Sequence, residues 1–362
     1  LSDGEAIYEM APERLTGSIK LFGASLKDYV SDEGAGQSDI SLYGNVVDMT
    51  TSAVTTIGGA NINLQANTLS MKQFTGLEAI SPRGGEGGDI NVGVDDLILN
   101  EAGIRTTSLG GQGGDVNIDV NSMSTFNGKI QASNYYNVRD NYQTGDINIT
   151  ATDSFINERL QLQVTSYTPG GAGNLNINAG TFIGDGPDWT ASTELWIIAY
   201  QGKTGEIKIN ADTFDAKQVR MFNVARSDSV QKLTELERTG YGDITINARD
   251  INLEKFRATT GTAKTREATT IGDVKINAEN EIIIGQILIS QSGAQSGMGA
   301  DVDFTAKNIL SRQDPSKMDP LYYPTIKNTG SMRFIAEENL ELGVLNFVSS
   351  NSNPSRELVN EF

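Results

Sequence analysis

The chain has 362 residues, of which 28 are Lys or Arg and 46 are Asp or Glu, for a formal net charge of −18. That balance argues against a nucleic-acid surface, which draws its affinity from clustered basic side chains. With no Cys and no His, disulfides, thiolate metal sites and imidazole chemistry are excluded.

Read in chain order, one short pattern returns again and again. It is a small residue, an acidic or amide residue, then apolar-polar-apolar: "GSIKL" (17–21), "SDISL" (38–42), "ANINL" (60–64), "GDINV" (88–92), "GDVNI" (114–118) and "GDINI" (145–149). It continues as "GNLNI" (173–177), "GEIKI" (205–209), "GDITI" (242–246), "GDVKI" (272–276), "ADVDF" (300–304) and "SMRF" (331–334). Anchored on the first apolar residue, the copies fall at 19, 40, 62, 90, 116, 147, 175, 207, 244, 274, 302 and 332. The mean spacing is about 28 residues, inside the range of solenoid repeats.

Alternation with period two makes each copy a strand with one buried and one wet face. Four residues past the anchor stands a small or medium residue, from Ala66, Val94 and Val120 to Ala306 and Ala336. An offset of seven from the anchor then predicts a second apolar column: Leu26, Val47, Leu69, Leu97, Met123, Phe182, Phe214, Ile251 and Ile309. A third short strand follows, as in "RLQLQV" (159–164), "ELWIIA" (194–199), "QVRMFNV" (218–224) and "GQILIS" (285–290).

Three short strands per turn predict an all-β, right-handed parallel β-helix of about 12 coils over residues 17–348, roughly 53 Å long between first and last anchors. Glycine before the anchor is expected to supply conformational freedom at the corner. A β-propeller is the rival architecture, but its four-stranded repeats need more room than most of these copies have. The longest apolar run, "IIIGQILI" (282–289), is too short to cross a bilayer, so membrane insertion is not expected.

The stretch "GGDINVGVDDLILNEAGIRTTSLGGQGGDVNIDV" (87–120) joins a glycine-rich corner, G-[DN]-I-x-I, a second "L-x-L" and then I-x-[TA]-[TS]. It resembles the repeats of filamentous-haemagglutinin-like exoproteins, most strongly over 84–180 and traceably from about 17 to 345. The resemblance implies a long β-helix on a bacterial surface, acting as adhesin, filament or stalk.

Three sets of residues are candidates for chemistry. The residue before the anchor is acidic at Asp39, Asp89, Asp115, Asp146, Glu206, Asp243, Asp273 and Asp301. Stacked in register, Asp89, Asp115, Asp146, Asp243 and Asp273 could bind calcium between coils, or simply accept hydrogen bonds from turn N–H groups. The outward amides Asn63, Asn91, Asn117, Asn148 and Asn176, and a second row Asn178, Asn210, Asn247 and Asn277, are expected to form structural ladders.

Length variation gathers after the third strand, at 133–144, 226–241, 259–271 and 311–329, which places the inserts along one edge. Tyr135, Tyr136, Tyr142, Tyr241, Tyr322 and Tyr323 lie there, and Tyr167 follows the third strand at 159–164. They would suit a binding edge for glycans, surface proteins or another protomer, or else cover the side of their own rod. A catalytic pair is sought at Asp95 and Asp96, but strand neighbours point to opposite faces and the two are expected at a corner.

A first residue of Leu reads as a processed form or fragment, with any signal peptide already removed and an extracellular or cell-surface location. Residues 1–16 and 349–362 are expected to act as extensions that contact neighbouring subunits. The expectation is thus a non-enzymatic extracellular rod without a required cofactor, stacking head to tail as a filament or forming an adhesin stalk. The alternative is a β-helix that binds or cleaves polysaccharide.

Overall fold

The computed structural model describes residues 17–29, 38–81, 85–135, 141–187, 192–200, 202–225, 242–262, 272–292, 300–312, 325–328, 330–343 and 346–349. Both termini and most of the four inserts lie outside the described residues. Within them the chain is an all-β parallel β-solenoid, its twenty-two strands joined in one continuous hydrogen-bonded system. Each coil contributes a first, second and third strand, and each strand pairs in parallel with its counterparts one coil before and one coil after.

The anchors form the first column of the core. Ile40, Ile62, Ile90, Val116, Ile147, Leu175, Ile207, Ile244, Val274, Val302 and Met332 stand in register. The twelfth predicted anchor does not belong there. Ser18–Phe22 pairs with residues 46–50, so Ile19 sits on Val47 in the second column. Leu26, expected in the second column, pairs with Val54 in the third. The described residues therefore hold fewer than twelve complete coils, because the first begins at its second strand.

The second column otherwise follows the offset of seven, with three additions. Phe155, Ile282 and Leu340 lie eight residues past their anchors yet stand in register with Met123, Ile251 and Ile309. The extra residue is absorbed at the bend between first and second strands, where the register shifts between Ala151 and Ser154. A bulge of this kind keeps the apolar faces aligned, since a one-residue slip would turn the strand inside out.

In the coils up to residue 159 the bend from second to third strand is made by single residues in the left-handed region: Gly23, Thr51, Glu101, Asn127 and Arg159, with φ between 49° and 59°. One coil uses two, Gln73 and Phe74, and there the second and third columns (Leu69, Leu77) are eight apart instead of seven. Each backbone N–H at the bend donates to the following coil, as Asn127 does to the Glu158 carbonyl at 3.0 Å. The corner is thus paired along the rod like the strands it joins.

Down the axis like packs on like. Phe155, Phe182 and Phe214 form a buried aromatic run with centroids 5.4 and 5.1 Å apart, and Phe304 stacks on Phe334 at 4.7 Å. Each such side chain removed from water contributes on the order of 2–3 kcal/mol.

The glycines before the anchors do not serve the purpose the sequence suggested. None of Gly88, Gly114, Gly145, Gly173, Gly205, Gly242 or Gly272 has a positive φ. What each lacks is space. A Cβ on Gly114 would fall on the carbonyl oxygen of Gly88, one on Gly145 on that of Gly114, and one on Gly242 on that of Gly205. From Gly88 to Gly272 the column is a seam where consecutive backbones approach too closely for a Cβ, whereas Ala60 and Ala300 at its two ends carry one.

Gly145→Ala is therefore expected to lower stability by about 3 kcal/mol, the scale of a forced overpacking. Gly93→Ala, whose Cβ would meet nothing nearer than Gln65 Cγ at 4.0 Å, should change it by less than about 0.5 kcal/mol. Urea unfolding followed by circular dichroism compares the two, and equal losses would overturn the steric explanation.

Candidate functional site

The acidic column before the anchors is bonded from coil to coil. Oδ1 of Asp39 accepts the backbone N–H of Asn61 at 2.8 Å, and Oδ1 of Asn61 accepts that of Asp89 at 2.7 Å. Asp89, Asp115 and Asp146 continue the contact to the N–H groups of Asp115, Asp146 and Asn174 at 2.8, 2.8 and 2.7 Å. It resumes at Asp243 and Asp273, which accept from Asp273 and Asp301 at 2.8 Å each. The side chain thus caps the turn of the next coil rather than its own.

These bonds shape what the column can hold. Lys275 places its ammonium 2.7 Å from Asp243 and 3.1 Å from Asp273, so that pair is neutralised by the chain's own cation. Arg333 pairs with Asp303, just past the column, at 2.7 Å and lies 3.9 Å from Asp301 within it. Among the described residues no three acidic groups gather to hold a metal ion. Burial pushes the Asp115 carboxyl above the usual carboxylate range, opposed by the Asp146 N–H bond and reinforced by the charges of Asp89 and Asp146.

Both amide rows form ladders. Nδ2 of Asn91, Asn117, Asn148 and Asn176 donates to Oδ1 of the preceding Asn at 2.9–3.0 Å. Asn210, Asn247 and Asn277 repeat this at 2.8–3.0 Å. The first ladder forms one wall of a shallow trough of about 440 Å³, whose other side runs through Tyr43, Gln65, Gly93, Asp119 and Thr150. Asp95 lies at the bend between first and second strands, where it accepts from Asn121 at 3.2 Å. Asp95 and Asp96 are both exposed.

The tyrosine edge is partly in view. Tyr136, Tyr241, Tyr322 and Tyr323 lie outside the described residues. Tyr142 is half-buried, and its carbonyl accepts a hydrogen bond from the Thr168 hydroxyl. Tyr135 and Tyr167 are brought together with Tyr200, which the sequence reading did not single out. Their rings stack at 5.7 and 4.1 Å, and the Tyr135 hydroxyl accepts from Gln131 Nε2 at 3.1 Å. Rings stacked on one another use their faces internally and present edges and hydroxyls outward.

Beside them, on the outward side of the third strands, lies a cluster missed from the sequence. Register places Glu194, Arg220 and Arg257 in one column and Trp196, Phe222 and Thr259 in the next. Glu194 holds Arg220 at 2.8 Å. The guanidinium carbons of Arg220 and Arg257 lie 5.0 and 5.5 Å from the Phe222 centroid, and Trp196 packs on Phe222 at 5.0 Å. The signal was present as the polar partners of the apolar column in "ELWIIA" and "QVRMFNV", but only the register shows that they adjoin.

No known protein family, characterised protein or solved structure matches the chain.

The acidic column yields a pH prediction. A carboxyl whose folded pKa is raised costs stability above that pKa and nothing below its unfolded value, so wild-type stability falls as pH rises through the raised pKa of Asp115. Asp115→Asn, which copies Asn61 and Asn174 in the same column, keeps the acceptor and removes the charge. It should stabilise the fold at pH 7 by a few tenths to about 1 kcal/mol after allowing for solvent screening. The gain should vanish below pH ~3.8, as read from thermal midpoints across pH.

Proposed function

We propose that this chain is a non-enzymatic structural rod that works outside the cell, as a filament subunit or as the stalk of a surface adhesin. One observation carries the reading: its outward polar side chains are bonded along the axis to their own counterparts. Two asparagine ladders, the capped aspartate column and the salt bridges at Lys275 and Arg333 all run from coil to coil. A catalytic centre needs different groups converging on one reacting atom. Here like groups repeat along a line, which strengthens the rod against extension and leaves each coil dependent on its neighbours.

The resemblance of residues 84–180 to filamentous-haemagglutinin-like repeats supports a bacterial surface location. The net charge of −18 keeps such rods apart laterally. Among the described residues, strands 18–22 and 25–29 pair on one side only, with 46–50 and 53–57. That edge is where head-to-tail stacking would add the next coil.

Electron microscopy of the purified chain over a range of concentrations tests the reading. Unbranched fibres that lengthen with concentration, with an axial diffraction spacing of about 4.7–4.9 Å, are expected of a filament subunit. Short rods of constant length at every concentration point instead to the stalk. Saturable turnover of acidic polysaccharide, abolished by changing one acidic residue, would overturn the non-enzymatic role.

A further inference from the structure

The outward face of the second strands carries apolar side chains where the first strands carry amides and acids. Of the six large apolar residues exposed among the described residues, Phe22, Ile98, Phe126 and Ile156 lie on second strands, and Phe74 lies on the bend that follows one. Register sets Ile98, Ser124, Ile156 and Ile183 in one axial column. Lys72, Asn100, Phe126, Glu158 and Asp185 form the column beside it. Phe126 stands beside Ser124, the midpoint between Ile98 and Ile156, within reach of both as a diagonal neighbour.

The charges around this patch come in opposite order on its two sides. Before it lie Lys72 on the strand and Glu101 at the bend; after it lie Arg159 at the bend and Asp185 on the strand. Counted from the coil of Phe126, Lys72 and Asp185 are each two coils away in one column. Glu101 and Arg159 are each one coil away at the same bend. Among the described residues Lys72 and Glu101 have no ion pair in their own chain, and those of Arg159 and Asp185 are long, at 4.0 and 3.9 Å.

We propose that this face binds a second copy of the chain, running antiparallel, with the two-fold axis through the coil of Ser124 and Phe126. Turning one rod end for end over the other places Phe126 on Phe126 and Ile98 on Ile156. The same rotation sets Lys72 opposite Asp185, Glu101 opposite Arg159 and Asn100 opposite Glu158, each pairing occurring twice. Asp95 and Asp153 stand outside the face, at the bend between first and second strands. A parallel pair would lay each coil on its own copy with the strand order reversed. That brings Glu101 toward Asp95 and leaves Lys72 opposite Thr68, with no acid to meet.

A face of about 30 Å by about 17 Å on each rod buries roughly 1,000 Å² in the pair, the lower bound for a specific contact. Association in the micromolar range is therefore expected. The net charge of −18 holds the remaining surfaces apart, so lateral association stops at two.

The chain has no cysteine, so Ser124→Cys, exposed and on the axis, supplies a single thiol. A bismaleimide that spans the roughly 10 Å between packed sheets then tests the contact. A covalent dimer on a denaturing gel is expected at micromolar chain. Asp119→Cys, exposed in the same coil on the first-strand face, should give at least tenfold less. In the Ser124→Cys background, Phe126→Asp, Glu101→Arg or Arg159→Glu alone should each cut the yield at least fivefold, with unchanged circular dichroism. Mixing the Glu101→Arg chain with the Arg159→Glu chain should restore it, because both bends then join opposite charges.

No cross-linking of Ser124→Cys, equal cross-linking of Asp119→Cys, or full yield with any single variant would overturn the interface. A mixture that fails to recover would overturn its antiparallel direction. These residues lie in coils paired on both sides, so end-to-end stacking, read as fibre length in micrographs, succeeds or fails independently of this cross-link.

Discussion

Consecutive coils are held one parallel backbone hydrogen bond apart, and at the corner before most first strands, from Gly88 to Gly272, that distance leaves no room for a Cβ. Along the glycine seam from Gly88 to Gly272 each residue lies against the carbonyl of the one before. Because the backbones meet there, every residue downstream falls into register with its counterpart. The isoleucines stack on isoleucines, the phenylalanines on phenylalanines and the asparagines on asparagines as a consequence. A loosened seam would let the register slide, and the buried faces would go with it.

Stacking like on like favours apolar and amide columns but works against charged ones. Two Asn side chains in register share a donor and an acceptor. Two Asp side chains share only repulsion, offset in part by the N–H that each accepts from the next coil. The chain manages this in two ways along one column. It interrupts the acids with Asn61 and Asn174, and it bridges Asp243 to Asp273 with Lys275. Asp115 has its carboxyl pKa raised, first by burial and then by the charges of Asp89 and Asp146 on either side.

The third strands break this economy of repetition. Their outward positions change chemistry from coil to coil, from the Glu78–Arg105 ion pair through Gln131 and Gln163 to the aromatic and guanidinium strip at Trp196 and Arg257. The inserts leave the rod from this side as well, and the Tyr135–Tyr167–Tyr200 stack begins there.

The sequence by itself determined the period, the two-residue alternation, the three columns and both asparagine ladders, because each of these is a local pattern repeated in register. It could not place its first copy. Ile40, Val47 and Val54 are spaced by seven and seven, so Ile19 and Leu26, also seven apart, fit the first and second columns as well as the second and third. Only the pairing of Ser18 with Val46 decides between them. The role of the seam glycines and the adjacency of Trp196, Phe222 and Arg257 were likewise settled by the tertiary structure. Both depend on which backbone atoms and side chains of different coils come within a few ångströms, and sequence separations of about thirty residues carry no such distance until the coils are stacked.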